Sequence, residues 1–385
     1  MLINPLTQLT EEEEMFRDAI RIFSEDKIKP LTQKMDEEET FDSDLLKQFF
    51  KINLMGIQIP EQWGGAGGSF FMSILAVEEL SRVDPSAGVI VDVQNTLVNN
   101  ALLNWGTKKQ KSQYLPQLSS HKVGAYALSE SGAGSDAFAL KTIATADGNS
   151  FLLNGQKLWT TNALEADIFV VFATVDPNLG HRGITAFLVE KSFPGFSLGK
   201  KEIKLGIRAS STCEVILNDC RVPNENVLGE IGNGYKVSIE TLNEGRIGIA
   251  GQMIGLADGA LHFAIQYSRE RKQFDQSLSN FQAIRFQLAE LSTQLEAARL
   301  LTYNAARMKD VGKPFIREAA MAKYFASQVA EKITSQAIEI LGGYGYTRDY
   351  PVEKYFRDSK IGKIYEGTSF MQLETISKFI LSKKD

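Results

Sequence analysis

The chain has 385 residues, 43% hydrophobic and 23% charged, and its 42 Lys and Arg against 47 Asp and Glu give a formal charge of −5. At roughly 150 residues per domain, the length accommodates two to three domains. The composition excludes a disordered or collagen-like chain, and the acidic balance gives no electrostatic case for a nucleic-acid partner. No uncharged run approaches the roughly 18 apolar residues of a membrane span, so stable membrane insertion is not expected.

The opening residues lack a basic region followed by an apolar one and are too acidic for a transit peptide. Bacterial cytoplasm is therefore the expected compartment, with the mitochondrial matrix as the alternative for a processed chain. Two cysteines, Cys213 and Cys220, provide no disulfide framework, and a buried reduced state is expected for both. His121, His181 and His262 are scattered, so no metal site is expected.

From Thr10 to about Gln117 the period is helical. Thr10 and Glu13 form a capping box ahead of Phe16, Ala19, Ile20 and Phe23, and Pro30 ends or kinks this helix. Ser43 opens a second helix, with Gly56 as its expected C-cap. Gly64, Gly65, Gly67 and Gly68 mark a loop, and residues 71–84 read as a buried helix. Thr107 and Gln110 repeat the capping signature.

From about His121 to Gly232 short β-rich runs alternate with turn signals. These are Asp147-Gly148-Asn149, Asn154-Gly155, Asp176-Pro177-Asn178 and Pro194-Gly195. They predict an antiparallel barrel or sandwich of about 110 residues. From about Gly234 the helical period returns, with residues 280–310 free of Pro and Gly and a second long segment ending at Gly342. The expected fold is α+β: an N-terminal helical domain over 1–120, a middle β-domain over 121–232 and a C-terminal helical bundle over 233–385. This order is not the βαβ alternation of a dinucleotide fold.

The loop from Ser129 to Asp136 contains Gly132-Ala133-Gly134, but residue 137 is alanine and the segment that follows is strand-like. It fails the context of a dinucleotide fingerprint, which leaves a plain β-turn or a backbone-donor loop for an anion or cofactor. Trp159, Thr160 and Thr161 end a strand, where an aromatic face beside two hydroxyls suits a planar ring as well as it suits core packing. Arg246 is expected at a helix start, and Arg269 and Arg271 near a helix end, positions that suit phosphate or open solvent. Glu366, between Tyr365 and Gly367, is a carboxylate among apolar and small residues, where burial would raise its pKa toward that of a general base.

Together, residues 126–136, 157–162, 242–250, 268–274, 281–282, 340–358 and 364–369 resemble the acyl-CoA dehydrogenase family, most closely its short/branched-chain branch. The resemblance covers essentially the whole chain. It implies a homotetramer, bound FAD and dehydrogenation of a short straight or 2-methyl-branched acyl-CoA to the trans-2-enoyl-CoA. Glu366 would take the α-proton and flavin N5 the β-hydride. Hydrogen bonds from the glutamate's backbone N–H and a flavin ribityl hydroxyl would hold the thioester oxygen. An electron-transfer flavoprotein would receive the electrons, and the same residues would serve enoyl-CoA reduction. An acyl-CoA oxidase reacting directly with oxygen, or a non-catalytic flavoprotein scaffold or assembly factor, is the alternative.

The resemblance also assigns residues. Flavin contacts fall on the segment from Tyr126 through Leu128, Ser129 and Gly134 to Ser135, and on Trp159, Thr160 and Thr161. Further flavin contacts fall on Arg271 and Gln282, on Glu339, Leu341, Gly342 and Gly343, and on Thr368, Ser369 and Phe370. Ser135, His181, Tyr235, Asn243, Glu244, Gly245 and Arg246 line the acyl-CoA arm. Phe370 stands where this motif carries a polar residue, so only its backbone can bond the cofactor. His181 stands where the short/branched-chain branch carries tyrosine. The isovaleryl branch places its base just before the position of Arg246. Here that residue is Gly245, which leaves the base to Glu366. Chain-length selection is expected to depend on packing around residues 93–96.

Overall fold

The computed structural model describes residues 5–382. Seven helices come first: α1 (Glu11–Phe23), α2 (Thr32–Glu38), α3 (Ser43–Lys51), α4 (Phe70–Ser81), α5 (Pro85–Asp92), α6 (Asn100–Trp105) and α7 (Lys108–Ser120). The capping boxes at Thr10/Glu13 and Thr107/Gln110 both form, each pairing side chain to backbone in both directions. Pro30 kinks rather than ends the first segment, which continues through π and 3-10 turns into α2. Gly56 is not a C-cap: α3 ends at Lys51, the chain turns through Asn53 in the left-handed region, and Gly56 closes a separate 3-10 turn. There it packs against Ser119 of α7, where a Cβ would lie 2.9 Å from the serine Cβ. Close approach of two backbones, not helix termination, is what requires glycine at this position.

Eight strands follow: β1 (Val123–Ala127), β2 (Ile143–Asp147), β3 (Ser150–Thr161), β4 (Ala166–Thr174), β5 (Ile184–Glu190), β6 (Phe196–Lys201), β7 (Thr212–Pro223) and β8 (Val227–Leu228). They form one sheet in the order β6-β7-β3-β2-β4-β5-β8, with β1 also on β4. Pairing is antiparallel except that β1 and the end of β2 run parallel to β4. Asn154-Gly155 is not a turn. It sits inside β3 at a register shift against β7, where Gly155 packs on Thr142 too closely for a Cβ. Cys213 and Cys220 are both buried and free on β7.

The third region comprises α8 (Gly234–Glu270), a short hairpin β9 (Lys272–Gln273) and β10 (Gln276–Ser277), α9 (Gln282–Asp310), α10 (Ile316–Leu341), α11 (Val352–Ser359) and α12 (Ser369–Leu381). Arg246 therefore lies well inside α8, not at a helix start. Gly245, Gly248, Gly251, Gly255 and Gly259 of α8 recur every three or four residues and so share one face. Each meets a neighbour from the N-terminal helices: Gly245 meets Leu97, Gly248 Asp92, Gly251 Ile74, Gly255 the Glu78 carbonyl and Gly259 the Arg82 carbonyl. The stripe lets the N-terminal helices approach α8 at backbone distance.

The three regions meet in a buried polar knot. Lys354 of α11 lies 3.0 Å from Asp84 and 2.6 Å from Asp358, and Asp358 accepts from Ile207 N at 2.5 Å. Burial makes each of these contacts geometrically specific, because an unpaired charge there would be costly. Among the described residues no helix is long and apolar enough to cross a membrane.

Candidate active site

Glu366 lies in the turn between α11 and α12, with its backbone in the left-handed region (φ +52°), followed by Gly367 at φ +86°. A non-glycine residue there is uncommon and strained, so its surroundings must hold it. Gln372 of α12 donates to Glu366 O at 3.2 Å and Gly367 O at 2.8 Å. Lys323 of α10 donates to Gly367 O at 2.5 Å. The carboxyl points toward α8, where a Cβ at Gly245 would lie 3.0 Å from Oε2. That same Cβ would lie 2.7 Å from Leu97, which belongs to the buried π-helical turn Val93–Asn99. Any side chain at 245 would thus compete with Glu366 for space, which is why glycine and the carboxylate go together.

Glu366 Oε2 is buried with no hydrogen-bond partner. Burial pushes this carboxyl up to about 7, against the pull of Lys323 and Arg246. Other polar atoms close by are also buried and unpartnered: the Tyr126 hydroxyl, Arg246 Nε and Asp92 Oδ2. Asp92, at the end of α5, is held by the Thr96 hydroxyl at 2.9 Å and lies against Gly248. Burial raises its pKa well above the usual carboxylate range, and the charge of Glu366 adds to that. Unpaired buried groups clustered in this way call for a partner that the chain itself does not supply.

A second face lies along the sheet. β3 is bulged between Lys157 and Thr160, and Trp159 within the bulge takes φ +61°. The bulge re-aims the side chain, leaving the indole 61% exposed. Beside it, Thr160 Oγ1 is buried and unpartnered. The loop after β1 is laid against this strand by Leu158 N donating to Ser129 O at 2.9 Å and by Lys157 Nζ donating to Leu128 O at 3.1 Å. Glu130 locks the loop: its carboxylate accepts from Lys157 Nζ at 2.7 Å, Thr142 Oγ1 at 2.5 Å and Lys141 N at 2.6 Å. Gly134 and Ser135 stay exposed, and nothing lies within 4 Å of a Cβ at Gly134. Thr368 caps α12, the Ser369 hydroxyl beside it is buried and unpartnered, and Phe370 is 81% exposed.

The remaining expected residues divide. His181 packs edge-on to Tyr235 with ring centroids 4.8 Å apart. Arg271, Leu341, Gly342 and Gly343 line one cavity of about 510 Å³, with Arg271 over the Tyr344 ring at 5.7 Å. Gln282 and Glu339 are exposed outside this lining, and Glu339 accepts instead from Gln336. Asn243 accepts from Arg246 at 2.9 Å. Glu244 turns away from Glu366 to Asn100 at 2.6 Å and Lys309 at 3.1 Å. Sequence reasoning missed Lys323 and Gln372. The signal for Lys323 is its place on the buried stripe of Ala319, Ala322, Ala326 and Ala330. Gln94 and Asn95, in the segment expected to govern chain length, spend their side chains on the backbone at Leu118, Lys122, Gly124, Leu54, Val91 and Ile57.

The arrangement offers a flat exposed aromatic face at Trp159, unpaired hydroxyls at Thr160 and Ser369, a cavity lined by Arg271 together with Asp349, and one carboxyl poised to exchange a proton near neutrality. Comparison with known proteins gives the same direction. Sequence models of the acyl-CoA dehydrogenase N-terminal, middle and C-terminal domains match residues 10–122, 125–220 and 232–381. A probable short/branched chain specific acyl-CoA dehydrogenase of Dictyostelium discoideum is 54% identical over 381 residues, 98% of this chain and 92% of that protein. The mitochondrial short/branched chain specific acyl-CoA dehydrogenase of Rattus norvegicus is 51% identical, over 98% of this chain and 87% of its own length. The butyryl-CoA dehydrogenase structure from Megasphaera elsdenii superposes with a TM-score of 0.96 at 42% identity, covering 99% of this chain and 100% of that one.

Proposed function

The chain belongs to the acyl-CoA dehydrogenase family and is an oxidoreductase, and on that premise we propose that it binds FAD and dehydrogenates short straight or 2-methyl-branched acyl-CoA thioesters. The observation that carries this reading is Glu366: an unpartnered, buried carboxyl in a strained turn, its pKa near 7. The exposed Trp159 face, the free hydroxyls of Thr160 and Ser369 and the open backbone at Gly134 fit the isoalloxazine end of FAD, and the Arg271 cavity fits a phosphate-bearing end. When bound, FAD supplies the acceptor for the hydride that leaves the β-carbon.

The chain's own residues do the rest. Glu366 takes the proton from the α-carbon, which loses its C–H electron pair to the new α,β double bond. A carboxylate near its pKa at working pH combines sufficient basicity with sufficient ionised fraction. His181 and Tyr235 form a surface for the CoA arm. Leu97 sits where it limits the acyl chain beside Glu366. Electrons then leave to an electron-transfer flavoprotein, and the chain works as a homotetramer.

The test is an anaerobic spectral titration of flavin-loaded protein with butyryl-, 2-methylbutyryl-, isovaleryl- and octanoyl-CoA. Bleaching of the flavin band by one of the first two is expected. A protein that takes up FAD and is bleached by none of the four contradicts the substrate class, and one that takes up no FAD favours the non-catalytic scaffold.

A pH dependence follows from the raised carboxyl. Only ionised Glu366 accepts a proton, so the bleaching rate is expected to rise with pH through an acid limb near 7. Below the limb it should fall about tenfold per pH unit. A limb at the ordinary glutamate value, near 4.5, would contradict the burial of the base.

A further inference from the structure

Lys323 is fully buried in the middle of α10. A lysine almost never occupies such a position without a partner for its charge. Its formed hydrogen bond goes to the Gly367 carbonyl at 2.5 Å, the carbonyl directly after the base. Among the described residues it has no carboxylate within ion-pair distance, so its charge is not spent on a structural salt bridge. Its neighbours one turn away on α10 are Ala319, Ala320, Ala326 and Ser327, and the serine hydroxyl donates to the Lys323 backbone carbonyl, so none of them partners the ammonium. The peptide it holds is the strained one, with positive φ at both Glu366 and Gly367.

We propose that Lys323 is a positioning residue for Glu366, anchoring the left-handed turn through the Gly367 carbonyl and supplying the positive charge against which the carboxyl ionises. The inference rests on Glu366 being the base. Arg246 of α8 is the other cation facing the carboxyl, but it bonds Asn243 rather than the turn. Asp92 at the end of α5, Tyr126 of β1 and Tyr365 in the same loop also feel the charge of Glu366. All three are neutral when protonated, and none supplies a compensating charge. Burial depresses the Lys323 ammonium, and Glu366 opposes that, so the two groups titrate as a pair.

The test uses flavin-loaded Lys323→Met, which keeps the length of the stem and removes the charge. The rate of flavin bleaching by butyryl-CoA is followed from pH 6 to 9 beside wild type. The acid limb is expected to move up by about one unit or more, lowering the rate about tenfold below the limb. The rate should recover toward wild type at pH 9, with butyryl-CoA affinity within a few-fold. A purely structural lysine would lower the rate at every pH alike.

An unchanged limb in the variant, beside an active wild type, overturns the inference and leaves the functional reading standing. A wild type that no acyl-CoA bleaches overturns the reading and the inference with it. Should Lys323→Met unfold or lose flavin, the same substitution is made with Glu366→Gln. Folding recovered in the double variant supports the charge pairing, because the uncompensated carboxylate was then the fault. Continued failure overturns the charge pairing and leaves Lys323 only the anchoring hydrogen bond to the Gly367 carbonyl.

Discussion

Glu366→Gln is expected to leave the chain folded and flavin-loaded while slowing turnover by about 10²–10⁴-fold, the range that a positioned general base contributes. The substitution is nearly isosteric. It keeps a polar group where Oε2 already stands without a partner, so it removes no hydrogen bond from the fold. The turn is held through backbone atoms, by Gln372 and Lys323, and these contacts do not depend on the carboxylate. Stability should therefore be unchanged or slightly raised, because a charge costly to bury disappears. Flavin absorbance after purification and the rate of bleaching by butyryl-CoA check the two halves separately. Turnover within a few-fold of wild type would remove Glu366 from its assigned role.

Glu130→Ala is expected to cost about 3–5 kcal/mol of stability, the range for breaking a buried ion pair by removing one partner. Lys157 is fully buried, and Glu130 is its carboxylate, at 2.7 Å. Thr142 and the Lys141 N–H would lose their acceptor at the same time. The loss falls on the contact that lays the loop around Ser129 along the strand carrying Trp159, so weakened flavin retention should accompany it.

The pH dependence gives this prediction a sign. Even with Glu130 present, burial depresses Lys157 to about 8. Without the carboxylate it falls further, so over the range up to the ordinary lysine value the unfolded chain binds more protons than the folded one. Stability of the variant should then rise with pH across that window. Thermal unfolding at pH 6 and pH 9 measures it. A variant equally destabilised at both would mean that lost hydrogen bonds, not the stranded ammonium, dominate.

Much of this architecture is legible in the sequence because its signals are local. The capping boxes at Thr10 and Thr107 act over three residues, and each forms as the spacing dictates. The change from helical to strand texture near His121 and back near Gly234 follows side-chain periodicity, which reports which face is buried. What misleads is glycine used for close approach. Gly56 reads as a cap and Gly155 as a turn, but each, like the glycine stripe of α8, lies where another segment comes too near for a Cβ. That requirement belongs to the partner segment, from 13 to 177 residues away, and no local pattern carries it.

The candidate site follows the same division. Glu366 stands out because a carboxylate between Tyr365 and Gly367 is locally odd, and Trp159 because an aromatic adjoins two threonines. The strained φ at both, and the bulge that exposes the indole, depend on β7 and α10 and emerge only in three dimensions. Lys323 and Glu130 serve the site from behind. Each looks like an ordinary charged residue until its burial and its partners are known.

The central claim is that this chain removes the α-proton of a bound acyl thioester through Glu366 as the flavin is reduced. The most direct measurement is anaerobic stopped-flow bleaching of the flavin-loaded protein by butyryl-CoA and by butyryl-CoA deuterated at the α-carbon. A slower reaction with the deuterated thioester is expected, on an acid limb near pH 7, and Glu366→Gln should slow the bleaching by about 10²–10⁴-fold and remove the limb. Bleaching that proceeds at one rate for both thioesters, or that stays within a few-fold of wild type in Glu366→Gln, would contradict it.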